Sequence, residues 1–217
     1  MRPALNEVKG SRRYDSSGRQ EQARALRRSV VVAARDLFEE KGFQSTTITA
    51  VAKHAGVSPE SIYKGFGTKA ALVKAVFDFV IAGDDEPVPV AARTEAQAIQ
   101  AEPDVRRKLM MYAAGMSVRQ QRSAKVQILI RDGGASDATL AELWDRMLTE
   151  RLTGMTMLGR HLLETGQLRA GIELDEVSDV LWTYIAVELY ELLVLGRGWA
   201  LDRYATWIGK AIADGLT

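Results

Sequence analysis

The side chains best equipped for chemistry in this 217-residue sequence are hydrogen-bonding groups within one short span: Thr47, Ser58, Glu60, Ser61, Tyr63, Lys64 and Lys69, with Pro59 among them. They do not compose a catalytic set. The chain has two histidines, His54 and His161, far apart in sequence, and no cysteine. No Ser/His/Asp or Cys/His arrangement, glycine-rich phosphate loop or His/Glu metal spacing can therefore be assembled, and neither a metal nor a cofactor is expected. The chemistry open to these groups is recognition of a polyanion. Lys64 can donate to guanine O6 or N7, Glu60 can accept from cytosine N4, and Ser61 can bond several base edges or a phosphate. Tyr63, Lys69 and Thr47 suit phosphates, because hydroxyls, ammonium groups and helix N-termini position a duplex without reading it.

These residues need rigid elements to hold them, and the stretch TTITAVAKHAGVSPESIYKGFGTK carries the punctuation for two short helices. Thr47 is an N-cap before the apolar set Ile48, Val51, Ala52 and Ala55, which predicts a helix to about His54. Gly56 stops it. Ser58 and Pro59 are a second N-cap and first helical position, opening a helix to about Lys64. If Val57 and Ile62 face the core, then Ser58, Glu60, Ser61, Tyr63 and Lys64 turn outward. Two helices joined through a glycine-containing turn form a helix-turn-helix, whose second member can enter a major groove.

The run KGFQSTTITAVAKHAGVSPESIYKGFGTKAAL resembles the DNA-binding segment of the TetR family of transcriptional regulators. Its glycine-aromatic pair, paired threonines, Ala-Gly-Val-Ser turn, Ile-Tyr pair and the following Phe and Lys carry the likeness, from Arg24 to Phe77. Two positions depart from the family pattern. Gly65 stands where a histidine or another large side chain is usual, and Ala50 stands where an acid often completes a capping box with Thr47. The resemblance implies DNA-backbone contacts from Tyr63, Lys69 and Thr47, and a homodimer joined through the last two helices.

Charge is distributed in keeping with this. Overall it is +1, yet Met1 to Leu72 holds 13 Lys and Arg against 7 Asp and Glu, a net +6, and the remainder holds 16 against 21, a net −5. One end of the chain suits a polyanion. Residues 1–20 are basic and aperiodic and read as a disordered arm, either inert or tracking DNA. From Gln22, Leu26, Val30, Ala33, Ala34, Leu37 and Phe38 recur at helical spacing up to Gly42, predicting a first helix that covers the pair. The head is thus assigned to residues 21–67 and a ligand-binding and dimerisation body to 68–217. The N-terminus has no apolar h-region, and a cytoplasmic location is expected.

Beyond the head an all-α bundle is expected, since no run alternates with period two. Thr68 caps a connector helix with Leu72, Val73, Val76, Phe77 and Val80, and a loop follows over IAGDDEPVPVAAR. Pro103 opens a helix through Met116, another carries Val126 to Ile130, and a long one runs from Leu140 to Leu162. From Val177 to Leu195, 14 of 19 residues are apolar, too many for a helix with one wet face. Glu188 and Glu191 argue against a membrane span, so burial between the bundle and a partner subunit is expected. Leu189, Leu192, Leu193, Trp199, Tyr204, Trp207 and Ile208 are the interface candidates. Met110, Tyr112, Met116, Trp144, Met147, Trp182, Tyr184 and Glu188 are the candidates for a pocket, and its ligand is expected to be mostly apolar because few cations lie in the apolar stripes.

The function these readings converge on is a homodimeric repressor of a palindromic operator, released by a small effector. The alternatives are an activator or effector-independent regulator of the same fold, an all-α enzyme, or a plain dimeric interaction module.

Overall fold

A computed structural model describes residues 16–83 and 93–217 of the chain. The described residues are helical and contain no strand: α1 (Ser16–Ser45), α2 (Ile48–Ala55), α3 (Pro59–Phe66), α4 (Lys69–Ala82), α5 (Thr94–Ala101), α6 (Val105–Gly133), α7 (Ala138–Glu164), α8 (Leu174–Tyr184), α9 (Val187–Tyr190) with a π turn over Glu191–Gly196, and α10 (Leu201–Leu216).

The head is built by its caps. Gly42 interrupts α1 with φ of 76°, and the buried Thr46 hydroxyl donates to Leu37 O at 3.0 Å and Gly42 O at 2.8 Å, occupying carbonyls that the broken helix leaves open. Of the paired threonines, Thr46 is therefore structural. Thr47, Ser58 and Thr68 accept from the backbone N–H three residues on, at 3.1, 3.2 and 3.0 Å, and start α2, α3 and α4. Gly56 ends α2 in the left-handed region at φ 70°, where a Cβ would be strained.

Head and body share one core. Val30, Ala34, Phe38, Val51, Ile62, Leu72 and Val76 are continuous with Val126, Ile130, Leu140 and Leu143 of α6 and α7. A second cluster joins α6, α7, α8 and α10 around Leu109, Leu162, Leu181, Tyr204 and Ile212. The boundary assigned at residue 67 therefore divides a sequence but not a core.

Several expectations are corrected. Residues 16–20 are already helical, so α1 begins before Gln22, while residues 1–15 of the expected arm lie outside the described residues, as do residues 84–92 of the expected loop. Leu26 is 48% exposed and does not join the apolar face. The short helix α5 has no counterpart among the expected elements. The two helices expected between Pro103 and Gly133 are one. Buried Ser117, Gln120, Ser123 and Gln127 dilute its apolar stripe, and each has an internal hydrogen bond that permits burial. The single helix expected over Val177–Leu195 is instead broken at Ile185–Ala186, where Gln120 Nε2 donates to Ile185 O at 2.8 Å, and it ends in the π turn. The acids in this run have a partner: Arg131 Nη1 lies 2.7 Å from Glu191 and 3.7 Å from Glu188. No described helix is long and apolar enough to cross a membrane.

Candidate functional site

On α3, Ile62 is 1% exposed and Val57 packs against the same core. This fixes the helix's rotation, and Ser58, Glu60, Ser61, Tyr63 and Lys64 all emerge on its exposed side, with Pro59 partly covered. Tyr63 is 55% exposed, an unusual setting for an aromatic with nothing to bury it. The Glu60 carboxyl is held below its usual range by its own backbone N–H and then by the Ser58 hydroxyl, so it is an ionised acceptor. Ser58 and Ser61 hydroxyls lie 3.1 Å apart. Thr47 sits exposed at the start of α2.

Lys69 is placed differently from its neighbours. Its Nζ stands 4.1 Å over the Phe43 ring, and burial pushes its ammonium below the ordinary lysine value against the opposing field of Asp137. It remains at the first turn of α4, where backbone N–H groups favour anions. Gly65 has its own compensation. Arg27 Nη1 donates to Gly65 O at 3.2 Å and its guanidinium lies 4.3 Å over Phe66, so α1 holds the C-terminal turn of α3 that glycine would loosen.

In the body a cavity of about 790 Å³ lies between α4, α5, α6 and α7, within the range of small-molecule sites. Tyr112, Met116, Trp144 and Met147 line it, and Phe77 and Ile81 of α4 join them. The other four candidates are elsewhere. Met110 packs against Gly209, Trp182 stacks under Arg151, Tyr184 meets Trp207 edge-on at 6.2 Å, and Glu188 faces Arg131. The wall is mostly apolar, but Arg119, Arg122, Arg151, Gln120 and His161 also reach the cavity, more cations than the apolar stripes of the sequence suggest. A signal for this was present: Gln120, Ser123 and Gln127 continue the stripe of Met116 at steps of three and four, and polar groups on a core face need partners or a ligand.

Burial pushes the Tyr112 phenol up to about 12 against the fields of Arg119 and Arg151, so it is neutral and donates to Met155 Sδ at 3.2 Å. Lys108, itself buried, places Nζ 2.7 Å from His161 Nε2 and 2.8 Å from Gln100 O.

Of the interface candidates, Tyr204 and Ile208 are fully enclosed in the protomer's own core and present no surface to a partner. Leu189, Leu193 and Trp199 are partly covered, whereas Leu192 and Trp207 are 63% and 39% exposed, with Leu195 beside them at 49%.

A capped helix-turn-helix whose outward helix is polar and unobstructed, on a helical body, defines a DNA-binding regulator. Residues 30–76 match the family of bacterial regulatory proteins, tetR family. A Bacillus subtilis (strain 168) protein called uncharacterized HTH-type transcriptional regulator YdeS is 25% identical over 169 residues, 78% of this chain and 79% of its own. Two solved structures share the fold: the transcriptional regulator FadR from Bacillus subtilis in complex with stearoyl-CoA (TM-score 0.69, 17% identity, 88% of this chain and 99% of that one), and NalD, the secondary repressor of the MexAB-OprM multidrug efflux pump in Pseudomonas aeruginosa (TM-score 0.67, 20% identity, 91% and 98%). The head of the chain thus carries a DNA-binding domain of the tetR family, on a body whose fold is that of these solved regulators.

Proposed function

We propose that the protein is a homodimeric repressor that grips a palindromic operator with two α3 helices and releases it when a small effector enters the body cavity. The observation that carries this reading is the sharing of α4. The helix starts beside α3, contributes Leu72 to the head core, and ends with Phe77 and Ile81 in the cavity wall. A ligand that prefers one position of this wall over another biases the separation of the two heads, and only that preference matters. NalD, named as a repressor, and FadR, solved with stearoyl-CoA, lend support by analogy of fold.

Selection of duplexes from a random pool tests the DNA half of the proposal. An inverted repeat with half-sites about 34–36 Å apart, or a multiple of that, is expected. Lys64→Ala should cost about 1–3 kcal/mol of discrimination at one base pair, whereas Lys69→Ala should weaken all sequences alike and lower the salt slope by about one. Unchanged base preference in Lys64→Ala would remove that residue from the reading set.

Arg122 is the expected coupling element, since its Nη2 donates to Ile81 O at 3.3 Å while its Nε is enclosed without a partner in the cavity wall. Arg122→Met should leave operator affinity without ligand within a few-fold and reduce the ligand's effect on it by about 0.5–2 kcal/mol. Fluorescent-operator titrations with and without a compound that raises the melting temperature measure this. If such compounds never weaken operator binding, the body is a dimerisation module only.

A further inference from the structure

Among the described residues the charges of the cavity wall do not balance. Glu95 faces Arg119 at 3.2 Å and Glu150 lies 3.9 Å from Lys74, so both described carboxylates of the wall have a cation beside them. Neither Arg122 nor Arg151 has a described carboxylate within ion-pair distance, but Arg122 is tied to Ile81 O. The Arg151 guanidinium lies 4.7 Å over the Trp182 ring, and its Nε is enclosed with no acceptor. Glu188, whose field reaches it, lies within 3.7 Å of Arg131 instead. Tyr112 cannot supply the missing charge because its phenol is neutral. Burial pulls Arg151 below the ordinary arginine value against the opposing field of Glu188. Gln120, only 4% exposed, also lines the cavity and has an Oε1 without a donor.

A half-buried cation with no described ion-pair partner is costly to keep, and a planar guanidinium over an aromatic ring suits a planar carboxylate. We propose that the cavity binds an amphipathic monocarboxylate, its head paired with Arg151 and its apolar body against Met116, Trp144, Met147 and Leu158. The assignment rests on the reading of this cavity as the effector site. A carboxylate at the terminal guanidinium nitrogens supplies the counter-charge, while the apolar walls account for the remainder of a molecule too hydrophobic to be recognised by charge alone.

The test uses the full-length protein and three probes with the same chain: dodecanoate, dodecanol and dodecyltrimethylammonium. Calorimetry should show dodecanoate binding about tenfold or more tighter than dodecanol, and the cation not binding. Arg151→Met should weaken dodecanoate by about 10- to 100-fold and leave dodecanol within about twofold, since only a charged hydrogen-bonding partner is removed. The same variant should melt higher than the parent without ligand. Arg151→Lys, which keeps the charge but loses the fork, should fall between the two, and it carries the comparison if methionine is not tolerated. Dodecanol binding as well as dodecanoate, an unchanged dodecanoate affinity in the variants, or no dodecanoate binding below its aggregation threshold would each overturn the proposal. Operator release separates the two readings. If dodecanoate binds through Arg151 but never loosens the operator, the ligand class stands and the effector role fails. If dodecanol releases the operator and dodecanoate does not, the effector role stands and the ligand class fails.

Discussion

Leu192→Asp should leave each protomer folded, split the proposed dimer, and lower operator affinity by about 10²- to 10⁴-fold, the avidity that linking two half-site contacts provides. Exposure singles this position out. Leu192 is 63% exposed in the protomer, in the π turn that also presents Leu195 at 49%, so it contributes little to its own chain's core. An exposed substitution of this kind changes protomer stability by roughly 0.5 kcal/mol or less, whereas a carboxylate opposite an apolar partner surface must be desolvated. Trp207 is a less clean site. It is edge-on to Trp199 at 5.9 Å and to Tyr184 at 6.2 Å, and replacing it disturbs the protomer as well. Light scattering at micromolar concentration and operator titration at fixed salt give the two readouts. A Leu192→Asp protein that stays dimeric would move the interface away from the π turn, and one that becomes monomeric with full operator affinity would remove the need for a dimer.

The head was legible because its signals are local. Thr47, Ser58 and Thr68 each cap a helix with a hydroxyl three residues before the N–H it satisfies, Gly56 needs a left-handed backbone, and Ile62 alone decides which way α3 faces. None of these depends on a distant partner. The place where α1 starts was not legible, since residues 19–29 are all exposed and give no apolar stripe to mark it.

The body was legible in class but not in detail, because its distinguishing residues act across long separations. Gln120 reaches Ile185, 65 positions away, and takes the carbonyl at the break between α8 and α9. Arg131 reaches Glu191, 60 positions away, and that pairing lets acids sit in an apolar run. Helical spacing places Arg119, Arg122 and Arg151 on polar faces, and only the assembled bundle shows those faces converging on a cavity. Tyr204 and Ile208 illustrate the opposite error. Both are apolar residues on a terminal helix, and whether they meet a partner or α6 depends on packing that periodicity does not reveal.

Phe38→Ala should cost about 3–5 kcal/mol, the usual range for truncating a buried aromatic, and should lower the melting temperature of the whole chain rather than of the head alone. Phe38 is 2% exposed and stacks on Phe43 with ring centroids 6.1 Å apart, and the outer side of Phe43 is covered by the Lys69 ammonium. The cavity left by its removal opens into a core that runs without interruption from Val30 through Leu72 and Val76 to Val126 and Ile130. Such contacts cannot be lost on one side only. For a chain of this size a loss of that magnitude shifts the transition by about 6–20 °C at constant protein concentration. Calorimetry distinguishes this from an independent head: a single transition that moves down as a unit supports the shared core, and a new, separate low-temperature transition with the main one unmoved would show that residues 21–67 fold alone. Leu26→Ala is the matched control. At 48% exposure it removes apolar surface that the core does not use, and its effect should stay within about 0.5 kcal/mol. Because α3 is oriented by the same core through Ile62, the Phe38 variant should also lose operator binding in step with unfolding as temperature rises, with no change in base preference while it remains folded.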